Sequence, residues 1–332
     1  MRVLAMLPAY PPGRNVGSWI MTHGLLRALV ARGHDADVVL SAATGAPYML
    51  DGVRVWPRVD KRDPFRFIDD TDVVIAHAES AARAAVLGEL RGVPVVQIAH
   101  NTSAFTEAAL RKRRVSLTVF NSAHMAATVG AGCGRSIVVR PPVHAAEYET
   151  SPGDAVTLIN LSEDKGAEVF YALAERFPDR RFLGVRGGYG VQVLPRGPDD
   201  LPNVEVIDHV PAHEMRDRVY ARTRVLLMPS AHESWGRTGV EAMASGIPVL
   251  AHPTDGLRES LGGAGVFCDR DDVDAWEAVL RLLLDGRRWR AASRRAKARA
   301  AELDPVADLD RWCREIENLA RRRLRVRASV AG

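Results

Sequence analysis

Residues 231–253, AHESWGRTGVEAMASGIPVLAHP, combine two carboxylates with flexible and polar residues directly before an apolar segment. Seven residues separate Glu233 from Glu241. Residues 237–245 predict a helix after the strand RVLLMPS, so that Glu233 falls on the loop at the carboxyl end of the strand. Glu241 then falls about one turn into the helix, on the side that faces a cleft.

The start of this helix is a predicted site for an anion. The amides of Gly236, Arg237 and Thr238 form a helix N-terminus, where N–H groups and the helix dipole favour a phosphate. Glu241 would accept hydrogen bonds from a vicinal diol such as ribose, and Glu233 from a sugar beyond the phosphates. A diol, a diphosphate and a sugar in a row make a nucleotide sugar, which we predict as the ligand.

The elements that position these residues are short apolar strands alternating with helices. A first βαβ unit consists of the strand RVLAMLP, a helix in WIMTHGLLRALVARGH and the strand DADVVLS. TDVVIAH, VPVVQIAH, SLTVFNS and SIVVRPP continue the pattern, as in a parallel sheet covered on both faces. The proline-containing residues 140–154 interrupt the alternation, and AVTLINLS begins a second cycle. We therefore predict an α/β protein with two doubly wound, Rossmann-like parallel-sheet domains facing a cleft.

Length and composition agree with two domains. The chain has 332 residues, 47% apolar and 26% charged, which is ordinary for globular proteins. No apolar run approaches the roughly 18 residues of a membrane span, and prolines end the N-terminal apolar stretch too early for a signal peptide. The three cysteines are widely spaced, which argues against a metal site or a disulfide framework. We expect a cytoplasmic protein.

Basic residues are concentrated near the C-terminus. Residues 287–327 hold 14 Lys and Arg against 6 Asp and Glu, although the net charge of the whole chain is only +4. Such a cluster can attract phosphates, nucleic acid or a membrane surface, or can simply be a set of solvated helix faces, which we favour.

The paired-carboxylate stretch resembles the signature of retaining GT-B glycosyltransferases of the family-4 type, also called glycosyltransferase group 1. The resemblance covers most of the chain in the expected order. The family's N-terminal glycine-loop unit is similar to PAYPPGRNVGSWIMTHGLLRALVARGHDADVV. The segments that close the family's first domain are similar to VFNSAHMA and VVRPPV, and the lysine-glycine motif that opens its second domain is similar to LSEDKGAEVFYALA. The paired-Glu motif is specific, whereas a glycine loop alone is weak evidence.

The resemblance implies domain roles. Residues 1–145 would form the acceptor-side domain and residues 153–305 the nucleotide-sugar donor domain. Residues 306–332 would form a C-terminal helix that packs on either domain or crosses back to the first.

The resemblance also implies residue roles. Glu241 would bind the ribose and Glu233 the hydroxyls of the donor sugar, while Lys165 would neutralise the departing diphosphate. His100, after the strand VPVVQIA, matches an acceptor-side histidine near the anomeric centre. The predicted catalytic residues are His100, Lys165 and Glu233.

A larger set would bind the donor. Gly17 would let the first loop approach the phosphates, and His209 lies in the segment that usually contacts the base. No cofactor and no metal ion are expected, because cations and helix N-termini bind the diphosphate in this family. The predicted donor-binding residues are Gly17, Lys165, Arg186, His209, Glu233, Gly236, Arg237, Thr238 and Glu241.

The chain departs from the family pattern at two places. Ile159-Asn160 stands where the family usually has Gly-Arg, so that Arg186 or Arg237 would have to supply the second cation for the diphosphate. The first loop reads Gly17-Ser18 in place of two glycines, which is a mild change. These departures leave the identity of the donor open, and they are compatible with weak turnover.

We predict transfer of a sugar from a nucleoside-diphosphate donor to an acceptor hydroxyl, with retention at the anomeric carbon and without a metal. The alternatives are an epimerase-type nucleotide-sugar enzyme of the same fold, a non-catalytic nucleotide-sugar-binding protein, and a nucleic-acid-binding or modifying protein that uses the basic C-terminal region. The acceptor stays open among glycan, lipid, protein, small molecule and nucleic acid, and peripheral contact with a membrane stays open too. The donor base (uridine or guanosine), the donor sugar and the oligomeric state are not predicted.

Overall fold

The apolar runs predicted as strands form two separate sheets in the computed structural model, which describes residues 1–13, 15–42, 44–57, 67–77, 80–101, 106, 110, 115–194 and 200–331. The chain divides into two compact units. The first unit consists of Met1–Pro11, Ser18–Pro142 and Pro305–Gly332, and the second of Pro12–Gly17 and Val143–Asp304.

The first unit contains an eight-stranded sheet. Its strands are β1 (Arg2–Leu7), β2 (Asp35–Leu40), β3 (Tyr48–Leu50), β4 (Val53–Pro57), β5 (Val73–His77), β6 (Val95–Ala99), β7 (Leu117–Phe120) and β8 (Ser136–Val138). They lie in the order β3-β4-β2-β1-β5-β6-β7-β8, and all neighbours are parallel except β3 and β4. The strand order therefore reverses between β1 and β5, which are direct neighbours.

Helices cover this sheet. They are α1 (Gly17–Ala31), α2 (Ala81–Arg91), α3 (Ala123–Val129) and, from the end of the chain, the helix Val306–Ala331. The C-terminal helix packs on the core of the first unit: Trp312 is fully buried and its indole Nε1 donates a hydrogen bond to Leu25 O at 3.0 Å. Burial of such a large aromatic side chain attaches the end of the chain to the sheet formed by its beginning.

The second unit contains a six-stranded sheet. Its strands are β9 (Ala155–Ile159), β10 (Phe182–Val185), β11 (Val204–Ile207), β12 (Thr223–Met228), β13 (Val249–Ala251) and β14 (Val266–Phe267). They lie in the order β11-β10-β9-β12-β13-β14, all parallel. The order reverses between β9 and β12, and ligands of doubly wound sheets bind outside the carboxyl ends of the strands at such a point.

The helices of the second unit complete its two layers. They are α4 (Ala145–Tyr148), α5 (Ala167–Arg176), α6 (Met215–Arg218), α7 (Arg237–Ala244), α8 (Asp255–Leu261), α9 (Val273–Leu284) and α10 (Gly286–Glu302), so that the C-terminal helix of the first unit is α11. Short 3-10 turns occur at Glu163–Lys165, Ala212–Glu214, Tyr220–Arg222 and Gly262–Ala264. Two apolar clusters fill the space between the second sheet and these helices.

The strands named in the sequence analysis are present in both units. Strands β3 and β4, whose antiparallel pairing extends the edge of the first sheet, were not predicted from the sequence. The domain limits also differ in detail from the predicted 1–145, 153–305 and 306–332. Residues 12–17 belong to the second unit although β1 and most of α1 belong to the first. The segment from 305 onward belongs to the first unit, which is one of the placements that the sequence analysis left open for residues 306–332.

Candidate functional site

The predicted helix start is formed by a turn that requires glycine. Gly236 has a φ of +77°, and a Cβ at this position would lie 2.3 Å from Leu257 Cδ2. Helix α7 begins directly afterwards at Arg237, and Gly236 has no side chain to cap it. The first amides of α7 therefore remain available to an anion.

Lys165 and Glu233 meet at the carboxyl ends of β9 and β12. The Lys165 Nζ lies 2.5 Å from Glu233 Oε1, and Ser230 Oγ donates a hydrogen bond to the same oxygen at 3.1 Å. Burial alone would lower the pKa of Lys165, but the adjacent Glu233 carboxylate raises it above its ordinary value. Lys165 is consequently a stable cation.

A second glycine brings Lys165 to this position. Gly166 has a φ of +81°, and its missing Cβ would lie 2.4 Å from Pro229 Cγ, just beyond β12. The turn is also joined to the β12 loop by a hydrogen bond from Ala231 N to Asp164 O at 2.8 Å. Gly166 thus permits the close approach of this turn to the loop after β12, and Lys165 supplies the positive charge next to Glu233.

These groups line a cavity that belongs entirely to the second unit. Among the predicted residues the cavity brings together Gly17, Lys165, Arg186, His209, Glu233, Gly236, Arg237 and Thr238. Gly17 is there because the segment 12–17 lies against the second unit: His209 Nε2 accepts a hydrogen bond from Asn15 N at 2.8 Å. The predicted contact of His209 with a base stays a prediction.

Glu241 lies behind the cavity instead of lining it. Its side chain is 1% exposed, and its Oε1 lies 2.5 Å from Arg237 Nη1 one helical turn earlier. The Tyr220 hydroxyl donates a hydrogen bond to Glu241 Oε2 at 2.5 Å. Burial raises the pKa of Glu241, against the opposing effects of Arg237 and Tyr220. The expectation that Glu241 faces the ligand therefore differs from the structure, because two buried donors attract its carboxylate inward.

The guanidinium of Arg237 is equally engaged. Its Nη2 donates a hydrogen bond to the Tyr148 hydroxyl at 2.6 Å, and its side chain is only 11% exposed. The carboxylate of Glu241 keeps the pKa of Arg237 above its ordinary value despite burial. Arg237 borders the cavity, but its charge is directed at Glu241.

Arg186 is the more accessible of the two arginines proposed from the sequence. It follows β10, its side chain is 44% exposed, and its Nη1 lies 3.4 Å from Asp208 Oδ1, itself largely exposed. Exposed ion pairs at this separation contribute little, typically about 0–1 kcal/mol.

Asn160, which stands where the family that the chain resembles usually has arginine, also lines the cavity. Its φ is +73°, an unusual conformation for which asparagine is among the better suited side chains. Its Oδ1 accepts a hydrogen bond from Gln192 Nε2 at 2.9 Å.

His100 follows β6 in the first unit, as predicted. Its ring stacks on that of His77, at the end of the neighbouring strand β5, with centroids 4.4 Å apart and planes at 38°. Burial lowers the pKa of both imidazoles, to about 4 for His77. Both rings are therefore neutral near pH 7, and the catalytic role of His100 stays a prediction.

The tyrosines and the glutamine of this site were not predicted from the sequence. The side-chain contacts of Tyr148 with Arg237, Tyr220 with Glu241 and Gln192 with Asn160 join residues 21 to 89 positions apart, so no local spacing predicts them. The Arg237–Glu241 pair was detectable, because residues four apart on a helix share a face.

The described ranges lack two kinds of feature. Within them, no group of three or more His, Cys, Asp or Glu side chains is arranged to hold a metal ion. Over the same ranges, every helix is either too short or too polar to cross a membrane.

Comparison with known sequences gives a consistent picture. The family model described as "Glycosyl transferases group 1" matches residues 200–302. The chain is 26% identical to a glycogen synthase of Mycobacterium tuberculosis, over 93% of this chain and 91% of that protein. It is 34% identical to a D-inositol 3-phosphate glycosyltransferase of Xylanimonas cellulosilytica, over 43% of this chain and 37% of that one.

Solved structures share the fold. A complex of Anabaena Alr3699/HepE with UDP-glucose superposes with a TM-score of 0.72 at 17% identity, covering 96% of this chain and 98% of that one. Its complex with UDP has a TM-score of 0.70 and covers 96% and 99%. Sucrose-phosphate synthase from Thermosynechococcus elongatus has a TM-score of 0.73 at 16% identity, covering 98% and 100%.

Proposed function

We propose, from the premise that this chain is a GT-B protein of glycosyltransferase group 1, that it moves a sugar from a nucleoside-diphosphate sugar to an acceptor hydroxyl. We propose further that the reaction retains the anomeric configuration and proceeds without a metal ion. Retention is supported by the paired-Glu motif, and metal independence by a cationic group and open helix amides on one cavity wall.

The observation that carries this proposal is the Lys165–Glu233 pair beside the start of α7. Its atoms lie 2.5 Å apart, outside the carboxyl ends of the two strands where the sheet order reverses. A diphosphate placed there would meet the ammonium of Lys165 and the amides of Arg237 and Thr238. A sugar beyond it would meet the carboxylate of Glu233.

In the proposed reaction, Lys165 and the α7 amides stabilise the negative charge that grows on the departing nucleoside diphosphate. The bond from the anomeric carbon to the diphosphate oxygen breaks, and a bond from that carbon to the acceptor oxygen forms. The proton of the acceptor hydroxyl passes to an oxygen of the departing diphosphate. No carboxylate nucleophile is needed, so Glu233 is free to orient the sugar.

Ribose recognition requires a local change if Glu241 is its ligand. Both carboxylate oxygens of Glu241 already contact buried donors, and the side chain is 1% exposed. Donor binding would therefore have to free one of these oxygens, and release of the Tyr220 hydroxyl would leave the Arg237–Glu241 ion pair intact. Binding and structural stability are consequently linked at Glu241.

The first test is a thermal-shift panel of uridine and guanosine nucleotides and their sugars. Uridine nucleotides come first, because the Anabaena structures contain UDP and UDP-glucose. A nucleotide at a hundredfold excess over its Kd stabilises the native state by about 2.7 kcal/mol. One base stabilising the wild-type protein, and stabilising Lys165→Ala far less, supports the donor site.

Turnover separates the remaining functions. With the stabilising donor and mixed acceptors, a transferase releases nucleoside diphosphate and keeps doing so in EDTA. An epimerase-type enzyme converts the donor without any acceptor, and a binding protein leaves it unchanged. Absence of any nucleotide effect would contradict the proposed function, and strongly salt-dependent binding of nucleic acid would favour that alternative.

A further inference from the structure

The cavity contains a cation that is already partly neutralised. The ammonium of Lys165 is paired with Glu233 at 2.5 Å, so its charge is shared before any ligand arrives. A nucleoside diphosphate brings more than one negative charge, and a second cation would be favourable close to it. Arg186 and Arg237 both line the cavity and are the two candidates from the sequence analysis.

The contacts of the two arginines distinguish them. Arg237 is committed to Glu241 at 2.5 Å and to the Tyr148 hydroxyl at 2.6 Å, in a buried cluster. Releasing it would leave Glu241 buried without its ion-pair partner, which is strongly unfavourable. Arg186 has a long and exposed contact with Asp208, which a phosphate can replace with little loss.

The segment that carries Arg186 is held by a backbone hydrogen bond from Arg186 N to Ile207 O at 3.0 Å and by the side chain of Gln192. Gln192 Oε1 accepts hydrogen bonds from Gly187 N at 2.7 Å and Leu161 N at 3.0 Å. Gln192 Nε2 donates to Asn160 Oδ1 at 2.9 Å and to the carbonyl oxygens of Tyr189 and Gly190, both at 3.1 Å. The residues RGGYGVQ thus form a closed turn fastened to the end of β9.

Asn160 is fitted to this turn. A Cβ on Gly187 would lie 2.2 Å from Asn160 Cγ, so the asparagine side chain occupies the space that Gly187 leaves. The turn also borders the same cavity as Lys165, because Gly188 and Tyr189 are among the residues that line it. The residue found in place of the family's arginine therefore contacts the turn that begins with an exposed arginine.

We propose that Arg186 supplies the second cation for the donor diphosphate, and that Asn160 and Gln192 are positioning residues for the turn that presents it. This inference rests on the proposed function and assigns the missing charge within it. Asn160 then replaces the family's arginine by holding another arginine in place.

The test measures affinity for a nucleoside, its monophosphate and its diphosphate by calorimetry, with the base that stabilises the wild-type protein. We expect Arg186→Gln to weaken diphosphate binding about tenfold and nucleoside binding less than twofold. Arg181→Gln is the matched control, because Arg181 flanks the other end of the same strand, pairs with Asp154 and lies outside this cavity. It should leave all three affinities unchanged.

The positioning role has its own readout. Asn160→Gly preserves the backbone conformation and removes the contact with Gln192, so it should weaken diphosphate binding several-fold. Combined with Arg186→Gln it should add almost nothing, since both changes then act through one contact. Additive effects, or equal loss of nucleoside affinity, would overturn the positioning role.

The outcomes also separate this inference from the proposed function. If the wild-type protein binds the diphosphate and transfers sugar while Arg186→Gln binds it with unchanged affinity, the inference is wrong and the function stands. If the wild-type protein binds no nucleotide at all, both are wrong. Thermal unfolding of Asn160→Gly shows whether the variant is folded, and Gln192→Ala provides a second way to release the turn.

Discussion

Lys165 and Glu233 restrain each other's charge, and this has a measurable consequence at the level of single residues. Glu233→Gln removes the carboxylate that competes for the lysine ammonium, so nucleoside-diphosphate affinity should stay equal or rise by up to about tenfold, or about 1.4 kcal/mol. Turnover should fall at least about a hundredfold, as when one polar group that stabilises a transition state is removed. Calorimetry and nucleoside-diphosphate release measure the two effects.

Lys165→Ala removes the positive partner of the same ion pair, whereas Glu233→Gln removes the negative one. It should weaken diphosphate binding, because Glu233 would then face the phosphates without a balancing cation. If Glu233→Gln weakened diphosphate binding as much as Lys165→Ala does, the two residues would be acting as one structural unit and the separate roles would be wrong.

We expect substitution of Glu241 to lower the free energy of unfolding, whether or not Glu241 binds the ligand. Glu241→Ala leaves Arg237 buried without its ion-pair partner, and we expect a loss of about 3–5 kcal/mol in the free energy of unfolding. Replacing both partners, as in Arg237→Met with Glu241→Leu, should restore most of that stability. Denaturant unfolding measures it.

The double variant is also the control for ribose recognition. If Glu241 is the ribose ligand, the double variant is stable yet binds nucleoside poorly. Normal nucleoside affinity in a stable double variant would contradict the ribose role.

At the residue scale, charge and spacing along the chain were sufficient to predict several of the residues that line the cavity. Contacts between residues far apart in the sequence could not be predicted. Glu233, Lys165 and the start of α7 follow from one local motif each, and the structure brings all of them to one cavity. The inward turn of Glu241 depends on Tyr220, which arrives from a 3-10 turn 21 residues earlier. Whether a charged side chain faces a ligand or a buried partner is decided by such distant donors.

At the level of elements, the site depends on a sharp turn between β12 and α7. Gly236→Ala would combine a φ of +77° with a Cβ 2.3 Å from Leu257 Cδ2. We expect at least about 1 kcal/mol of destabilisation, together with weaker diphosphate binding as the α7 amides move.

Gly263→Ala is the control for this change. Gly263 has no atom within 4 Å of the place of a Cβ, and its φ is not in the left-handed region. Melting temperature and calorimetry should show no change for Gly263→Ala, and the prediction fails if Gly236→Ala also melts and binds as the wild-type protein does.

The ends of β5 and β6 predict a pH dependence of stability. The pKa of His77 is lowered by burial to about 4, whereas an unfolded histidine has a pKa of about 6.5. Because the folded pKa is depressed, the stabilisation is complete above about pH 6.5 and is lost as the pH falls towards 4.

The matched variant for this prediction is His77→Asn. The difference in free energy of unfolding between pH 7 and pH 5 should be smaller in His77→Asn than in the wild-type protein, because the variant no longer binds that proton on unfolding. Identical pH dependence in both proteins would contradict a buried neutral His77.

Elements with strong patterns were predictable and elements with weak ones were not. The central strands are nearly continuous apolar runs, since parallel strands are buried on both faces. The edge strands β3 and β4 have three and five residues and mixed polarity, which resembles a loop. The sequence EMRDRVYARTR contains the four-residue α6 and the 3-10 turn Tyr220–Arg222, and its last two residues begin β12, so its helical composition does not give one continuous helix.

At the scale of the whole molecule, the basic C-terminal region is divided between the two units. Helix α10 belongs to the second unit and α11 to the first. Some of its basic side chains are paired: Arg299 with Glu302 and Lys297 with Glu149. Solvated helix faces stay our preferred interpretation of these charges, and nucleic-acid binding stays the alternative.

The independence of the two cores can be tested with Trp312. Trp312→Ala removes a fully buried indole and its hydrogen bond to Leu25 O, so unfolding of the first unit should become easier by about 3–5 kcal/mol. Nucleotide affinity in the second unit should stay within twofold at temperatures where the variant is folded. A large loss of affinity in the folded variant would show that the cores are coupled.

The membership of residues 12–17 in the second unit constrains how this protein can be divided or recombined. The second unit is not a contiguous stretch of the gene: Asn15, whose backbone N–H donates a hydrogen bond to His209, is encoded more than a hundred codons before Val143. A chimaera that exchanges only the later half with that of a relative would pair a foreign histidine segment with the original loop. Crossovers that preserve donor binding should therefore exchange both pieces together.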